Sequence, residues 1–208
     1  MDRGRLEAFS DGVFAVAITL LALGLTVGGH GHGSLAHQLG HAWPAFVAYV
    51  VSFFTVGIIW VNHHALVSNF VVVNRTLLFL NLVLLLFVVM VPFSTGTVAD
   101  YLSTGDYDAS VAVAVYGGVL FGMSVGFASM FEWSLHEGHT RTRLPRDQRW
   151  RARRRFASGG LVYLAIIGLA FASASAAFAL SGVVALYYVF ERTPAVRATD
   201  TGEEPGSE

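Results

Sequence analysis

Long apolar stretches are the feature that most constrains how this chain can fold. Crossing the hydrocarbon core of a bilayer as a helix takes about 20 predominantly apolar residues, and segments of that kind recur along the 208 residues. Charged residues make up 13% of the chain, against about 25% in soluble domains. The sequence therefore predicts an all-α integral membrane protein.

Six transmembrane helices are predicted, at about residues 9–27, 43–61, 70–93 (stopping near Pro92), 109–133, 156–172 and 176–190. The last apolar stretch, 156–190, is too long for one helix and short for two. Its small residues near Ala174 favour a tight turn, with a single long tilted helix as the alternative. We assign residues 1–192 to the transmembrane domain and expect the polar tail, 193–208, to be disordered in the cytoplasm.

Arginine placement supports this count and orients the chain. The 13 basic residues are all arginine, and basic residues are enriched in cytoplasmic loops. With six helices, every arginine falls on one side of the membrane, whereas five helices would place Arg192 and Arg197 on the other side. The sequence thus predicts cytoplasmic N- and C-termini. The arginines lie at Arg3, Arg5, Arg75, within 141–155, and at Arg192 and Arg197.

One face of the first predicted helix is aliphatic. At 100° per residue this stripe contains Val16, Leu20, Leu23 and Val27, with Thr19 at its edge. Such stripes more often contact lipid or another helix. The functional interpretation is a helix that turns this face to a narrow pore, where a hydrophobic constriction gates ions by dewetting and size.

The opening of this helix also carries a motif, Arg5-x-x-x-Phe9-Ser10-Asp11. With Trp60-Val61-Asn62-His63-His64, Asn81 and Pro92-Phe93-Ser94-Thr95, it resembles the prokaryotic single-repeat relatives of the lysosomal potassium channel, transmembrane protein 175. The resemblance implies a potassium-permeable channel without a T-V-G-Y-G filter, assembled as a homotetramer with four first helices around the pore.

The resemblance also implies site residues. The family's aliphatic constriction corresponds to Val16, Leu20 and Leu23, and Thr19 matches a position whose hydroxyl helps to select potassium. The family often has isoleucine or leucine where this chain has Val16. The smaller valine shifts the expected tightest point toward Leu20 or Leu23.

Asp11 raises a separate question, because an ionised carboxylate at membrane depth is costly and usually marks function or pairing. Ser10 and Asp11 point away from the aliphatic stripe. We expect them to join a buried polar network that ties the first helix to the second and third. The predicted network comprises Arg5, Phe9, Ser10, Asp11, His63, His64 and Asn81. The alternative is that Asp11 faces cytoplasmic water and caps the helix.

Other features favour simpler interpretations. His37 and His41, near His30 and His32 in the first outer loop, have the spacing of a helical metal pair, but a solvated loop is favoured and no metal is predicted. The run 149–155 indicates contact with anionic lipid headgroups rather than nucleic acid. The outer aspartates Asp100, Asp106 and Asp108 either concentrate cations or form an ordinary hydrophilic loop.

The sequence therefore predicts a potassium-permeable channel of the bacterial plasma membrane rather than an enzyme. The chain has no cysteine, no catalytic triad order and no phosphate loop, and passive permeation needs no cofactor. The main alternative is a proton-linked secondary transporter that uses Asp11 with His63 or His64 as a relay. A third possibility is a non-conducting membrane assembly.

Overall fold

The computed structural model describes residues 2–26, 34–136, 138–141 and 145–190. These residues form α-helices joined by short connections. The predicted tail, Val27, His30 and His32 lie outside the described residues. The helices are α1 (Arg3–Leu23), α2 (Leu35–His41), α3 (Trp43–Ser68), α4 (Arg75–Tyr101), α5 (Tyr107–Ser134), α6 (Arg146–Ala170) and α7 (Ala174–Phe190).

Four of these helices, α1, α3, α4 and α5, are long and apolar enough to cross a membrane. The apolar parts of the last two helices are shorter, Ala157–Ala170 and Ala174–Tyr188. The chain turns between Ala170 and Ala174, where the small residues predicted a turn, so the single long helix is wrong. The all-helical membrane class predicted from the sequence is confirmed.

Several predicted helix ends were wrong. α3 continues to Ser68, seven residues past its predicted end, and α4 begins at Arg75 rather than at residue 70. The side chain of Asn74 accepts a hydrogen bond from the backbone N–H of Leu77 and so fixes the start of α4 as an N-cap.

Pro92 lies inside α4 and does not end it, contrary to the prediction. Proline removes one backbone donor, but apolar helices tolerate it where neighbouring side chains satisfy the backbone. The proline removes the hydrogen bond to the carbonyl of Val88, four residues earlier. The helix nevertheless continues to Tyr101, and the hydroxyls of Ser94 and Thr95 donate to the carbonyl of Val91 next to the proline.

α2 is a short helix where a loop was predicted. The hydroxyl of Ser34 caps it by accepting from the backbone N–H of His37. The rings of His37 and His41 lie 4.4 Å apart between centroids. Within the described part of the chain, no group of three or more His, Asp or Glu side chains is placed to hold a metal ion.

Helices α4 and α5 pack closely at the centre of the fold. A Cβ added to Gly126 on α5 would lie 2.9 Å from the Cα of Leu84 on α4. A Cβ at Gly122 would overlap the ring of Phe87. These two glycines let the helix backbones approach, as small residues do in membrane helix packing.

The variant Gly126→Ala is therefore expected to destabilise the protein by roughly 1–3 kcal/mol, because the new methyl group must displace the backbone of α4. Thermal unfolding of the detergent-solubilised protein measures this effect. Gly118→Ala is the matched control, because a Cβ at Gly118 meets nothing within 4 Å. Equal unfolding temperatures for the two variants would contradict the close approach.

One end of the bundle is fixed by contacts between its connections. The backbone N–H of Val71 donates to the carbonyl of His139 at 2.9 Å, and that of Arg141 donates to the carbonyl of Asn69 at 3.0 Å. Buried Phe70 packs edge-on against Trp133, with ring centroids 5.3 Å apart. The α3–α4 and α5–α6 connections therefore lie at the same end.

Candidate pore helix and its anchoring network

Helix α1 has two contrasting faces. The buried face packs against α3 and α4 and consists of Leu6, Ser10, Phe14, Ala17 and Leu21. On another face, about 100° or a little more round the helix, Val16 is 56% exposed, Leu20 39% and Leu23 73%. A helix with an apolar face of this kind has an unpartnered surface within the single chain.

Thr19 is exposed beside this aliphatic face. Its hydroxyl donates to the backbone carbonyl of Val16 at 2.8 Å. This bond uses the hydroxyl proton and fixes the side-chain oxygen, which still has acceptor capacity. The side chain can therefore present an oxygen to a cation without rearrangement.

Three buried polar residues join α1, α3 and α4. His63 Nε2 lies 2.8 Å from Asn81 Oδ1, so this ring nitrogen is the donor. Asn81 Nδ2 donates to Ser10 Oγ at 3.0 Å, and Ser10 Oγ donates to the carbonyl of Leu6 at 2.9 Å. Each of the three residues is at most 1% exposed. The chain of donors and acceptors satisfies polar groups that would otherwise be costly in an apolar interior.

A second set of contacts ties α1 to α3 along one edge. Arg3 Nη1 donates to the carbonyl of Ser68 at 2.6 Å, and His64 Nδ1 lies 3.0 Å from Glu7 Oε1. Trp60 Nε1 donates to Asp11 Oδ1 at 2.8 Å. We call these three pairs the α1–α3 ladder.

The spacing of the ladder follows from helix geometry. Each step moves four residues forward on α1 and four residues back on α3, which is about one helical turn on each. Antiparallel helices bring such positions together at every turn. The ladder therefore fixes both the register and the rotation of α1 against α3.

The predicted network is thus divided in two. Ser10, His63 and Asn81 come together as expected, whereas Asp11 pairs with Trp60 and His64 with Glu7. Arg5 and Phe9 are exposed and lie outside the buried cluster. The reason is rotation, since Asp11 is about 100° further round the helix than Ser10.

Sequence reasoning missed Trp60 and Glu7 as partners. A signal for Trp60 existed, because an indole N–H in an apolar helix needs an acceptor and Asp11 is the nearby carboxylate on α1. Glu7 stands four residues before Asp11. Its position on the same helical edge indicates a second pair one turn away.

A further buried cluster ties α3, α4 and α5. Thr95 Oγ1 lies 2.7 Å from Ser52 Oγ, and Ser52 Oγ lies 3.1 Å from the hydroxyl of Tyr116. Because the hydroxyl proton of Thr95 goes to the carbonyl of Val91, Ser52 is the donor to Thr95. Tyr116 is fully buried. This cluster lies away from α1 and rigidifies the scaffold behind it.

At the opposite end of the bundle, Asp106 caps α5. The hydroxyl of Thr104 and the backbone N–H groups of Ala109 and Asp108 donate to its carboxylate. These hydrogen bonds, led by that of Thr104, lower the pKa of Asp106 below its usual range. The group therefore stays negatively charged near neutral pH.

Comparison with known proteins places the chain in a family. The profile of the family described as endosomal/lysosomal potassium channel TMEM175 matches residues 5–92. A Streptomyces collinus protein named as a potassium channel is 45% identical over 195 residues, which cover 93% of this chain and 94% of that protein. A chicken protein named endosomal/lysosomal proton channel TMEM175 is 31% identical over 155 residues, or 67% of this chain and 30% of that protein.

Solved structures agree with this placement. The crystal structure of a lysosomal potassium-selective channel TMEM175 homologue from Chamaesiphon minutus superposes with a TM-score of 0.80 at 32% identity, covering 90% of this chain and 96% of that one. A variant of the potassium channel MtTMEM175, crystallised with a nanobody fusion protein, shares the fold, with a TM-score of 0.60 at 18% identity over 95% and 91% of the two chains. The chain therefore belongs to the TMEM175 channel family.

Proposed function

We propose that the chain forms a potassium-permeable channel in the bacterial plasma membrane, with the aliphatic face of α1 lining the ion path. The observation that carries this proposal is the exposure of Val16, Leu20 and Leu23 on a helix whose back is tightly held. The relatives named as potassium channels support the choice of ion.

The proposed topology has six membrane crossings, by α1, α3, α4, α5, α6 and α7, with both termini in the cytoplasm. The contacts between the α3–α4 and α5–α6 connections support it, because both connections then lie on one side. Arg3 bonded to Ser68 brings the N-terminus to that same end. Arg75 and the arginines of 141–155 make this the more basic side, as the cytoplasmic side usually is.

The proposed assembly is a homotetramer. A single α1 cannot enclose a path, so its aliphatic face needs symmetric copies around an axis. Four copies would surround a narrow conduit with rings of Val16, Leu20 and Leu23. Such rings control the passage of ions, because they limit the width of the path and resist wetting.

In this arrangement, Asp11 and the buried Ser10 are anchors rather than the ion filter. The α1–α3 ladder and the Ser10–Asn81–His63 cluster lie behind the aliphatic face. A rigid back matters because a hydrophobic constriction depends on where its side chains stand to within a fraction of an ångström.

The geometry does not favour the proton-linked transporter. A relay from Asp11 to a histidine needs a group that can both accept and release a proton. Asp11 instead accepts from the indole N–H of Trp60, and His63 donates to the amide oxygen of Asn81. His64 lies against Glu7 rather than against Asp11. Neither an indole nor an amide transfers protons near neutral pH.

Reconstitution into liposomes with a potassium gradient tests the function. We expect potassium flux that carries net charge, follows an imposed membrane potential and moves no protons, as a pH dye inside the liposomes would report. Potassium flux that is always accompanied by proton movement in the opposite direction would support the transporter instead. Absence of flux from a correctly folded assembly would contradict both and indicate a non-conducting protein.

A further inference from the structure

An open groove with a volume of 600 Å³ runs between α5 and α6. Its lining spans residues 121–132 of α5 and 153–164 of α6, which is about 16 Å of helix at 1.5 Å per residue. The hydrocarbon core of a bilayer is about 30 Å thick. The groove is therefore as long as one leaflet is deep.

The walls of the groove are apolar and open to the outside. Val125, Leu161 and Leu164 are exposed at 46%, 66% and 48%. Gly160 lies between them without a side chain, and a Cβ there would lie 3.6 Å from the ring of Phe121. The surface is a channel for a flexible hydrocarbon chain rather than a site for a polar ligand.

One end of the groove is charged. Arg153 donates through Nε and Nη2 to the carboxylate of Glu132, and both side chains are about half exposed. Arg149 and Trp150 stand one turn before Arg153 on the same side of α6. Arg154 lies over the ring of exposed Trp150, 4.5 Å from its centroid. Among the described side chains at this end, the positive charges of the arginines outnumber the negative charge of Glu132.

From this geometry we propose that the α5–α6 groove binds one anionic phospholipid. One acyl chain lies along the apolar walls, and the phosphate group contacts Arg153 at the charged end. This site is separate from the ion path, because α1 contributes nothing to its lining. The proposed site differs from a general attraction of the arginines to a negative membrane surface. It requires an acyl chain in the groove and the guanidinium of Arg153 at its end.

Glu132 has a positioning role in this site. By accepting from two nitrogens of Arg153, it holds the guanidinium at the end of the groove. The third nitrogen, Nη1, is left to donate to a phosphate oxygen. Arginine suits this task because its planar group binds two partners at once in fixed directions.

Trp150 fits the same arrangement. Tryptophan is enriched where the hydrocarbon core meets the headgroups, and Trp150 lies one turn before Arg153 in the sequence, farther from the apolar part of the groove. Its exposed ring and the arginine stacked on it place amphipathic and positive groups at headgroup level. Along the groove, apolar walls are followed by positively charged groups, which matches the acyl chain and the anionic headgroup of a phospholipid.

Native mass spectrometry of the full chain in detergent tests the proposal, with phosphatidylglycerol and phosphatidylcholine of identical acyl chains as probes. We expect the protein to retain phosphatidylglycerol preferentially. Arg153→Gln should weaken phosphatidylglycerol binding about fivefold and phosphatidylcholine binding less, because both lipids carry the phosphate but only phosphatidylglycerol has a net negative headgroup. Arg75→Gln, which removes a positive charge beside Phe79 on α4, is the control and should leave both unchanged.

The groove itself is tested by filling it. Gly160→Phe should lower binding of both lipids, whereas Gly168→Phe on the same helix should not, because Gly168 faces open space. Arg153→Lys keeps the charge but loses the planar group that bonds Glu132 and the phosphate together, so its phosphatidylglycerol binding should fall between that of the unaltered protein and that of Arg153→Gln. Equal retention of the two lipids, or equal binding by the two phenylalanine variants, would overturn the proposal. Crosslinking of Leu161→Cys between subunits would also overturn it, because a neighbouring chain would then fill the groove.

Discussion

Potassium flux through the variant Leu20→Asn is expected to exceed that of the unaltered protein at least about tenfold. Asparagine has the same branched shape as leucine, so the ring keeps a similar width but can be wetted. If this change removes about 1.4 kcal/mol from the barrier to an ion, flux rises tenfold. Stopped-flow or electrode measurements on liposomes with a potassium gradient report the change.

A companion variant separates wetting from width. Leu20→Ala widens the ring while keeping it apolar, so it should raise flux and also weaken discrimination between potassium and larger cations. The corresponding variants of Leu23 apply the same test one turn away. The position whose variants change flux more is the tightest ring, which the smaller Val16 leads us to expect at Leu20 or Leu23.

The control for these variants is Leu186→Asn on α7. Leu186 is 59% exposed, and the proposed ion path does not include it. We expect unchanged flux. If the variants of Leu20 and Leu23 also leave flux unchanged while the oligomer stays intact, the aliphatic face of α1 lies against lipid and the proposed pore is wrong.

The second large effect is expected at Asn81. Replacing it with alanine leaves the buried N–H of His63 and the hydroxyl of Ser10 without their amide partner. A buried polar group without a partner costs about 1–3 kcal/mol, so Asn81→Ala should destabilise the protein by roughly 2–4 kcal/mol. The expected measurement is a lower unfolding temperature and a smaller fraction of assembled oligomer.

Asn62→Ala is the matched control for Asn81→Ala. Asn62 is only partly buried, and its side chain donates to the carbonyl of Ile58 within its own helix. Asn62→Ala should therefore lower the free energy of unfolding far less than Asn81→Ala does. Adding Ser10→Ala to Asn81→Ala should cost less than the sum of the single changes, because the two residues share one bond. Additive effects would contradict the coupling of α1 to α4.

The boundaries of the helices show what local sequence can predict. Apolar length located the membrane helices, and the small residues before Ala174 located a turn between α6 and α7. Both signals depend only on local composition. The end of α3 at Ser68 was not predicted, because it lies beside contacts between distant connections. The passage of α4 through Pro92 was not predicted either, because a proline by itself favours a helix end.

The site divides in the same way. The helical period by itself separated the face of Val16, Leu20 and Leu23 from that of Ser10, because rotation per residue is a property of the backbone. Because few polar groups occur in the apolar stretches, His63, His64 and Asn81 were the predicted partners of Ser10 and Asp11, and the structure brings His63 and Asn81 to Ser10. The assignment of Asp11 to Trp60 and of His64 to Glu7 needed the register of α1 against α3.

The sequence alone thus determined that this chain is a helical membrane protein and which residues of its first helix share an aliphatic face. Hydrophobic length and helical period are local, so they can be read along the chain. The tertiary structure alone decided which group hydrogen-bonds to Asp11 and that a groove about as long as one leaflet lies between α5 and α6. Those features depend on the rotation and register of packed helices, which distant contacts set.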